Sequence, residues 1–179
     1  MLSVRKAAEN DIGSIMKIYE HAREFMRNTG NPTQWGTSYP SRELIESDIR
    51  AGICRVVCDE NAVRGVFALL EKPDPTYFYI ENGAWLNDRP YIAIHRIAGD
   101  GKAHGVFRCA ADHCKALCAN VRIDTHADNR IMQRRIEENG FVKCGIIHTA
   151  DGSPRIAYQW TDTRITGKDA LREDSKSCD

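Results

Sequence analysis

The sequence predicts an α/β (α+β) domain with helices packed on a mixed sheet. Two observations carry this. Apolar residues recur at helical spacing in some segments and at strand spacing in others, and Gly, Asn, Asp and Pro separate the segments. The resulting order is β-α-α-β-β-β-α-β-α-β-β, which calls for helices covering a sheet.

Val4 closes a short first strand. Asn10 and Asp11 are capping residues, followed by Ile12, Ile15, Met16, Tyr19, Ala22, Phe25 and Met26 at helical spacing. Asn28-Thr29-Gly30-Asn31-Pro32 stops that helix, and Ser41 caps a second one carrying Leu44, Ile45 and Ile49 up to Gly52. Residues 53–58 and 62–70 form a hairpin around Asp59-Glu60-Asn61. The stretch 72–90, with Pro73, Pro75, Pro90 and Tyr77-Phe78-Tyr79, is an irregular strand or a long functional loop. A third run, 91–98, ends at Gly99-Asp100-Gly101. Val106, Phe107, Ala110, Cys114, Leu117 and Cys118 then stripe a long helix. Val121, Ile123 and Thr125 alternate with Arg122 and Asp124 in a strand. Asp128-Asn129 opens a helix with Ile131, Met132 and Ile136 on one face, and Gly140 ends it. Residues 141–147 and 155–160 make a last hairpin about Asp151-Gly152. From Thr161 onward the chain is polar and charged. Residues 1–161 are read as one domain and 162–179 as a frayed polar tail.

A chain of 179 residues suits one domain, and a 42% apolar content suffices for a core. Lys+Arg and Asp+Glu number 25 each, which argues against nucleic-acid binding. No apolar run approaches the ~20 residues that cross a bilayer, and the N-terminus has no signal-peptide core, so a cytoplasmic protein is expected. The seven cysteines (Cys54, Cys58, Cys109, Cys114, Cys118, Cys144, Cys178) form no C-x-x-C pair. They read as reduced, mostly buried small hydrophobes, and no metal site is expected.

Chemistry is written in 91–141. A strand leads through Gly99-Asp100-Gly101-Lys102-Ala103-His104-Gly105 into a helix. The first amides of a helix lack internal partners and carry partial positive charge, so a glycine there admits a phosphate, with pyrophosphate the natural guest. No G-x-G-x-x-G dinucleotide motif or P-loop follows.

This stretch resembles the signature of the GNAT superfamily of N-acetyltransferases, where a Gln/Arg-x-x-Gly-x-Gly/Ala loop follows the fourth strand. Lys102 stands for Gln/Arg and Gly105 for the central glycine, while Phe107 departs from the final Gly/Ala. Asn129-Arg130-Ile131-Met132 through Glu138-Asn139-Gly140-Phe141 is similar to the family's second cofactor-contacting segment. The resemblance implies a mostly antiparallel sheet and transfer of an acetyl group from acetyl-CoA directly to an amine. Amides of Lys102, Ala103, His104, Gly105, Val106 and Phe107 would hold the pyrophosphate. Ile97 and Ala98 would pair with the pantetheine arm, Asn129 would hydrogen-bond it, and Met132 and Gln133 would line it. Lys102, Arg130 and Arg134 are candidates to balance phosphate charge.

One departure concerns proton handling. Family members often place a Tyr seven residues after that Asn, and here the position is Ile136. Two replacements are expected: His95 as base for the amine, on the same face as Ile97 and opposite Arg96, and Tyr158 as donor to the leaving thiolate. The alternative is a catalytically weak acyl-CoA-binding or sensing protein. Phe25, Trp35, Tyr39, Tyr77, Tyr79 and Trp85 are candidates for an aromatic wall around the acceptor, and Glu81, Asp88 and Asp124 for attracting its charge. The expected partner is a small-molecule or peptide amine, with no nucleic acid and no membrane. A homodimer is left open.

Overall fold

The computed structural model describes residues 1–60 and 62–164. The strands are β1 (Leu2–Lys6), β2 (Cys54–Asp59), β3 (Ala62–Leu70), β4 (Ile92–Gly99), β5 (Asn120–Thr125), β6 (Val142–His148) and β7 (Pro154–Thr161). The helices are α1 (Ile12–Asn28), α2 (Arg42–Arg50), α3 (Val106–Leu117) and α4 (Arg130–Glu138). The expected element order holds. Ser41 caps α2 by accepting from the Leu44 amide at 3.3 Å. Asp11 does not cap α1; its carboxylate accepts from the Ala8 amide and binds Arg5 at 2.7 Å, closing the turn before the helix. Of the hairpin turn Asp59-Glu60-Asn61, Asn61 lies outside the described residues. So does 165–179, the greater part of the expected tail.

The strands form one sheet in the order β1-β2-β3-β4-β5-β7-β6. Neighbours run antiparallel except β4 and β5, which are parallel. That parallel pairing spans three residue pairs, Ile92–Val121 to Ile94–Ile123. Beyond Ile94 the two strands separate.

The cause lies in β4. Val66 pairs with Ala98 and Ala68 with His95, so Arg96 and Ile97 together oppose Phe67. This is a β-bulge, and bulges bend their strand. Arg96 sits at φ 53°, a left-handed conformation unusual for a residue with a side chain. Two tertiary contacts hold it there. The Tyr19 hydroxyl of α1 donates to the Arg96 carbonyl at 2.9 Å, and Arg96 Nη2 meets Asp48 Oδ2 of α2 at 2.6 Å.

Each sheet face has its own cover. Ile94, Ile97, Ile123 and Tyr158 pack under Val106, Phe107 and Ala110 of α3 and Ile136 of α4. On the opposite face Val56, Val66 and Ala98 pack under Ile15, Ile18 and Tyr19 of α1 and Ile45 of α2. Ala93, Ile147 and Ala157 continue that face under Tyr77. Tyr77 belongs to the 72–90 stretch, which is the long-loop alternative rather than a strand, with one short 3-10 turn, Pro75–Tyr77. Glu81 bridges to Ile146, Trp85 Nε1 donates to the Tyr77 carbonyl at 2.9 Å, and the Leu86 amide donates to Gln159 Oε1 at 3.0 Å.

No disulfide joins the described cysteines. Burial pushes the thiols of Cys54 and Cys114 up to about 12, which makes both unreactive. Among the described residues no helix is long and apolar enough to cross a membrane.

Gly65 sets how closely α3 approaches the sheet. A Cβ there would lie 2.3 Å from Val106 Cγ1 and 3.1 Å from the Ala98 carbonyl oxygen. Gly65→Ala is expected to destabilise the fold by about 1–3 kcal/mol through overpacking, with part of the loss recovered when Val106→Ala is added. Urea denaturation of the parent, single and double variants measures both effects.

Candidate active site

Where β4 parts from β5, the β5-facing edge of β4 has no partner strand beyond Ile94. An unpaired strand edge is a template for another extended group. Two cavities open at this gap. One, of about 640 Å³, is lined by Trp35, Tyr39, Asp74, His95, Asp124 and Asp151 among others. The second, of about 500 Å³, is lined by Ala98, Ala103, His104, Gly105, Phe107 and Arg135 among others. Ile97 and Met132 line both, so the two meet at the gap.

The second cavity is built by the turn into α3. Gly105 is the helix N-cap, at φ 84°, and no side chain caps the helix start. A Cβ on Gly105 would meet nothing within 4 Å, so the space over the helix end is open. First-turn amides therefore face the cavity with their dipoles aligned toward it. Asp100 shapes the turn: its Oδ1 accepts from the amides of Lys102 at 2.9 Å and Ala103 at 3.3 Å, and its Oδ2 meets Arg64. Burial opposes the Asp100 charge, but those amides and Arg64 hold its carboxyl below the ordinary range.

The expected pyrophosphate ligands need correction on this point. The Lys102 and Ala103 amides are taken by Asp100, which leaves His104, Gly105, Val106 and Phe107 as the amides of the cradle. Lys102 lines neither cavity; Arg108 and Arg135 line the second, where Glu138 also sits and pairs with Arg135 at 3.3 Å, so Arg108 is the basic side chain there without that neutralisation. Arg134 pairs with Glu138 at 2.7 Å. Gln133 does not line the gap either, since its amide donates to the carbonyls of His126 at 3.1 Å and Ala127 at 2.7 Å. Asn129 lines the first cavity and also caps α4, accepting from the Met132 amide at 3.1 Å. Its Nδ2 donates to Gln34 Oε1 at 2.9 Å, which ties the α1–α2 loop to the start of α4 across the cavity mouth.

The bulge also corrects the face expected for His95. Strict alternation put His95 and Ile97 on one face, opposite Arg96. The extra residue at Arg96 shifts the phase. Ile97 joins the α3 and α4 face, whereas His95 stacks on Tyr77 on the other, with ring centroids 5.5 Å apart. His95 Nε2 lies 3.4 Å from Asp74 Oδ2 and has no hydrogen-bond partner. Burial pushes the imidazole pKa down, against the pull of Asp124 and Asp74. The Tyr77 hydroxyl donates to Asp124 Oδ1 at 2.7 Å.

Tyr158 is not at the gap. It lies under α4, 1% exposed, and its hydroxyl is 3.3 Å from Glu137 Oε1. Burial and that carboxylate push it up to about 12. Ile136 packs in the same core. Of the aromatic candidates, Trp35 and Tyr39 line the first cavity, with their rings 6.4 Å apart. Tyr77 is fully buried beneath it, Trp85 stacks on Arg122 at 4.0 Å, and Phe25 and Tyr79 are exposed. Among the acidic candidates Asp124 lines the cavity, Glu81 makes the bridge to Ile146, and Asp88 does not line it. No periodicity points to Asp74, Asp151 or Gln34, which distant loops deliver. It does point to Thr125, as a hydroxyl in the apolar alternation Val121, Ile123, Thr125.

Comparison with known proteins fits this geometry. A GNAT-family acetyltransferase from Streptococcus agalactiae is 30% identical over 90% of this chain and 95% of its own, with a TM-score of 0.79. The chain belongs to the GNAT family of acetyltransferases. Family members from Bacillus cereus (20% identity, 90% of this chain and 98% of its own, TM-score 0.60) and Listeria monocytogenes (20%, 90% and 95%, 0.61) share its fold. No protein-family profile and no curated protein matches the chain.

In this GNAT fold the bulge that opens the gap depends on Arg96 and Asp48, whose side chains are 13% and 7% exposed. Asp48→Asn strands a buried charge and is expected to cost about 3 kcal/mol, while Asp48→Leu with Arg96→Met recovers much of that. Thermal denaturation of the three proteins is the measurement.

Proposed function

We propose that the chain is an acetyl-CoA-dependent N-acetyltransferase acting on a small amine that arrives as a cation. The carrying observation is the gap between β4 and β5, with an uncapped helix start on one side and a carboxylate-lined cleft on the other. The residues fit the cosubstrate. The open space over Gly105 and the amides of residues 104–107 suit its pyrophosphate. The free β4 edge at Ile97 and Ala98 suits the amides of its pantetheine arm, with Met132 alongside.

Bound there, acetyl-CoA supplies an acetyl group whose C–S bond breaks as the amine nitrogen bonds to the acetyl carbon. The chain's own residues prepare the amine. Asp74, Asp124 and Asp151 line the cleft, and the Arg96 charge within it is balanced by Asp48. Trp35 and Tyr39 offer π faces to a cation. His95 takes the amine proton, and Asp74, 3.4 Å away, steadies the imidazolium that results. Ile136 and the Glu137-bound Tyr158 leave the usual tyrosine role unfilled, which favours a weak acyl-CoA sensor as the second reading. Acetyl-CoA consumption across a panel of amines separates the two: turnover with none of them supports the sensor.

Gly105→Asp and Gly105→Asn both tolerate the left-handed backbone, but only Asp adds charge to the cradle. Calorimetry should find CoA bound about a hundredfold more weakly by Gly105→Asp and only severalfold more weakly by Gly105→Asn. Equal affinities for the two would remove the pyrophosphate from this turn.

A base works in its neutral form, so activity is present above the folded pKa of His95 and lost as pH falls through it. Burial lowers that pKa, so the acidic limb of kcat/KM should lie below about 6.5, the value of a free imidazole. In His95→Gln the limb should vanish and the rate should drop about a hundredfold. A limb unchanged in the variant would assign the proton to another group.

A further inference from the structure

Thr125 is the last residue of β5 and lies on the wall of the first cavity, where the strands have just parted. It is 1% exposed, and its Oγ1 has no hydrogen-bond partner. An unsatisfied buried hydroxyl is costly, by roughly 1–3 kcal/mol, so its partner has to be sought among groups that enter the gap.

The face of the sheet narrows the choice. Thr125 pairs with Ile156 and follows Val121 and Ile123 in alternation, so it shares the face covered by α3 and α4. Ile97, Met132 and the Gly105 turn serve the same side. His95 and Asp124 serve the other, where the acceptor arrives: Asp124 is bonded to Tyr77, and His95 is stacked on it. The hydroxyl therefore belongs to the cosubstrate side. It is too deep for bulk water to satisfy, and the part of the cosubstrate that reaches deepest into the gap is its thioester end. The phenolic hydroxyl packed on this face, that of Tyr158, is committed to Glu137.

We propose that the Thr125 hydroxyl is the hydrogen-bond donor to the cosubstrate's sulfur, a role that rests on the acetyl-CoA reading above. The cationic amine first loses one proton to His95, which passes it to solvent; as the N–C bond then forms and the C–S bond breaks, the electron pair of the C–S bond stays on sulfur and the second amine proton goes to His95. Thr125 Oγ1 keeps its own proton and donates it as a hydrogen bond to the growing negative charge. The proton that finally converts thiolate to thiol comes from solvent.

The test compares CoA with desulfo-CoA, which lacks the sulfur, by calorimetry on the full chain at pH about 9.5–10, since CoA's alkanethiol ionises roughly a unit above the ~8.5 of a cysteine. The parent should prefer CoA by about tenfold or more, as expected for a hydrogen bond to a charged group. Thr125→Val, of equal shape, should bind desulfo-CoA like the parent and lose the preference; Thr125→Ser should restore it. In turnover, Thr125→Val should lower kcat about tenfold with the KM for acetyl-CoA little changed. Should Thr125→Val not fold, Thr125→Ala against Thr125→Ser decides by the same binding ratio. A preference retained without the hydroxyl overturns the assignment even if amines are acetylated. A preference lost with the hydroxyl upholds it even if no amine is turned over, and that second result overturns the proposed activity alone. A parent that binds neither ligand overturns both.

Discussion

The left-handed backbone at Arg96 is the constraint on which the rest of the site depends. A long side chain inside a strand rarely sits at φ 53°, and such a conformation persists where the surroundings hold it. Here the hold comes from two helices: Tyr19 of α1 fastens the carbonyl, and Asp48 of α2 fastens the guanidinium. The extra residue bends β4 off the line of β5 after three paired positions. Without that bend β4 would continue along β5, its edge would be spent on sheet pairing, and the two cavities would not meet. Helices packed on the opposite face of the sheet therefore decide whether the gap exists.

The bulge also divides the labour of the sheet. It reverses the phase of alternation, so His95 and Ile97 look to opposite faces although they are two residues apart. One face receives the helix start at Gly105, the aliphatic wall of Ile97 and Met132, and the hydroxyl of Thr125. The other receives His95, Asp74 and Asp124 above a floor of Tyr77. That floor is held by a long loop whose Glu81 bridges to Ile146 and whose Leu86 amide binds Gln159, so the loop behaves as part of the sheet's packing. Gln34 and Asn129 then clasp the two sides at the mouth, joining the acceptor loop to the helix that borders the gap.

Much of this was legible in the sequence, and what was not has a physical cause. Periodicity located the α-helices, each of which buries one face, and continuous apolar runs located the central strands, which are buried on both. Gly105 and Asn129 were legible because helix starts need particular residues. The phase of His95 was not, since a bulge is imposed by tertiary contacts from Tyr19 and Asp48 and leaves no local mark on 92–99. Asp74 and Asp151 reach the cleft from loops, where no period exists to report direction. The roles expected of Lys102, Gln133 and Tyr158 failed for a shared reason. Each sits at the right position along the chain, but Asp100, the His126 and Ala127 carbonyls, and Glu137 respectively have already claimed the polar group in question.

Zero net charge conceals a separation that composition could not report. The cavity over Gly105 has the positive end of α3 and Arg108 on its wall, with Arg135 already paired to Glu138. The cleft beyond the gap has Asp74, Asp124 and Asp151, with Arg155 the counter-charge not already neutralised by Asp48. Opposite signs lie at the two ends, and the seam between them, Ile97 and Met132, is apolar. On the function proposed above, an anionic cosubstrate and a cationic acceptor would be drawn from different sides and would meet where neither charge is held. Low polarity at the seam strengthens whatever few polar groups remain there. Of the unpartnered buried groups next to it, His95 Nε2 and Thr125 Oγ1 are those that can change or share a proton there, and they are the positions where one proton or one hydrogen bond has the largest effect.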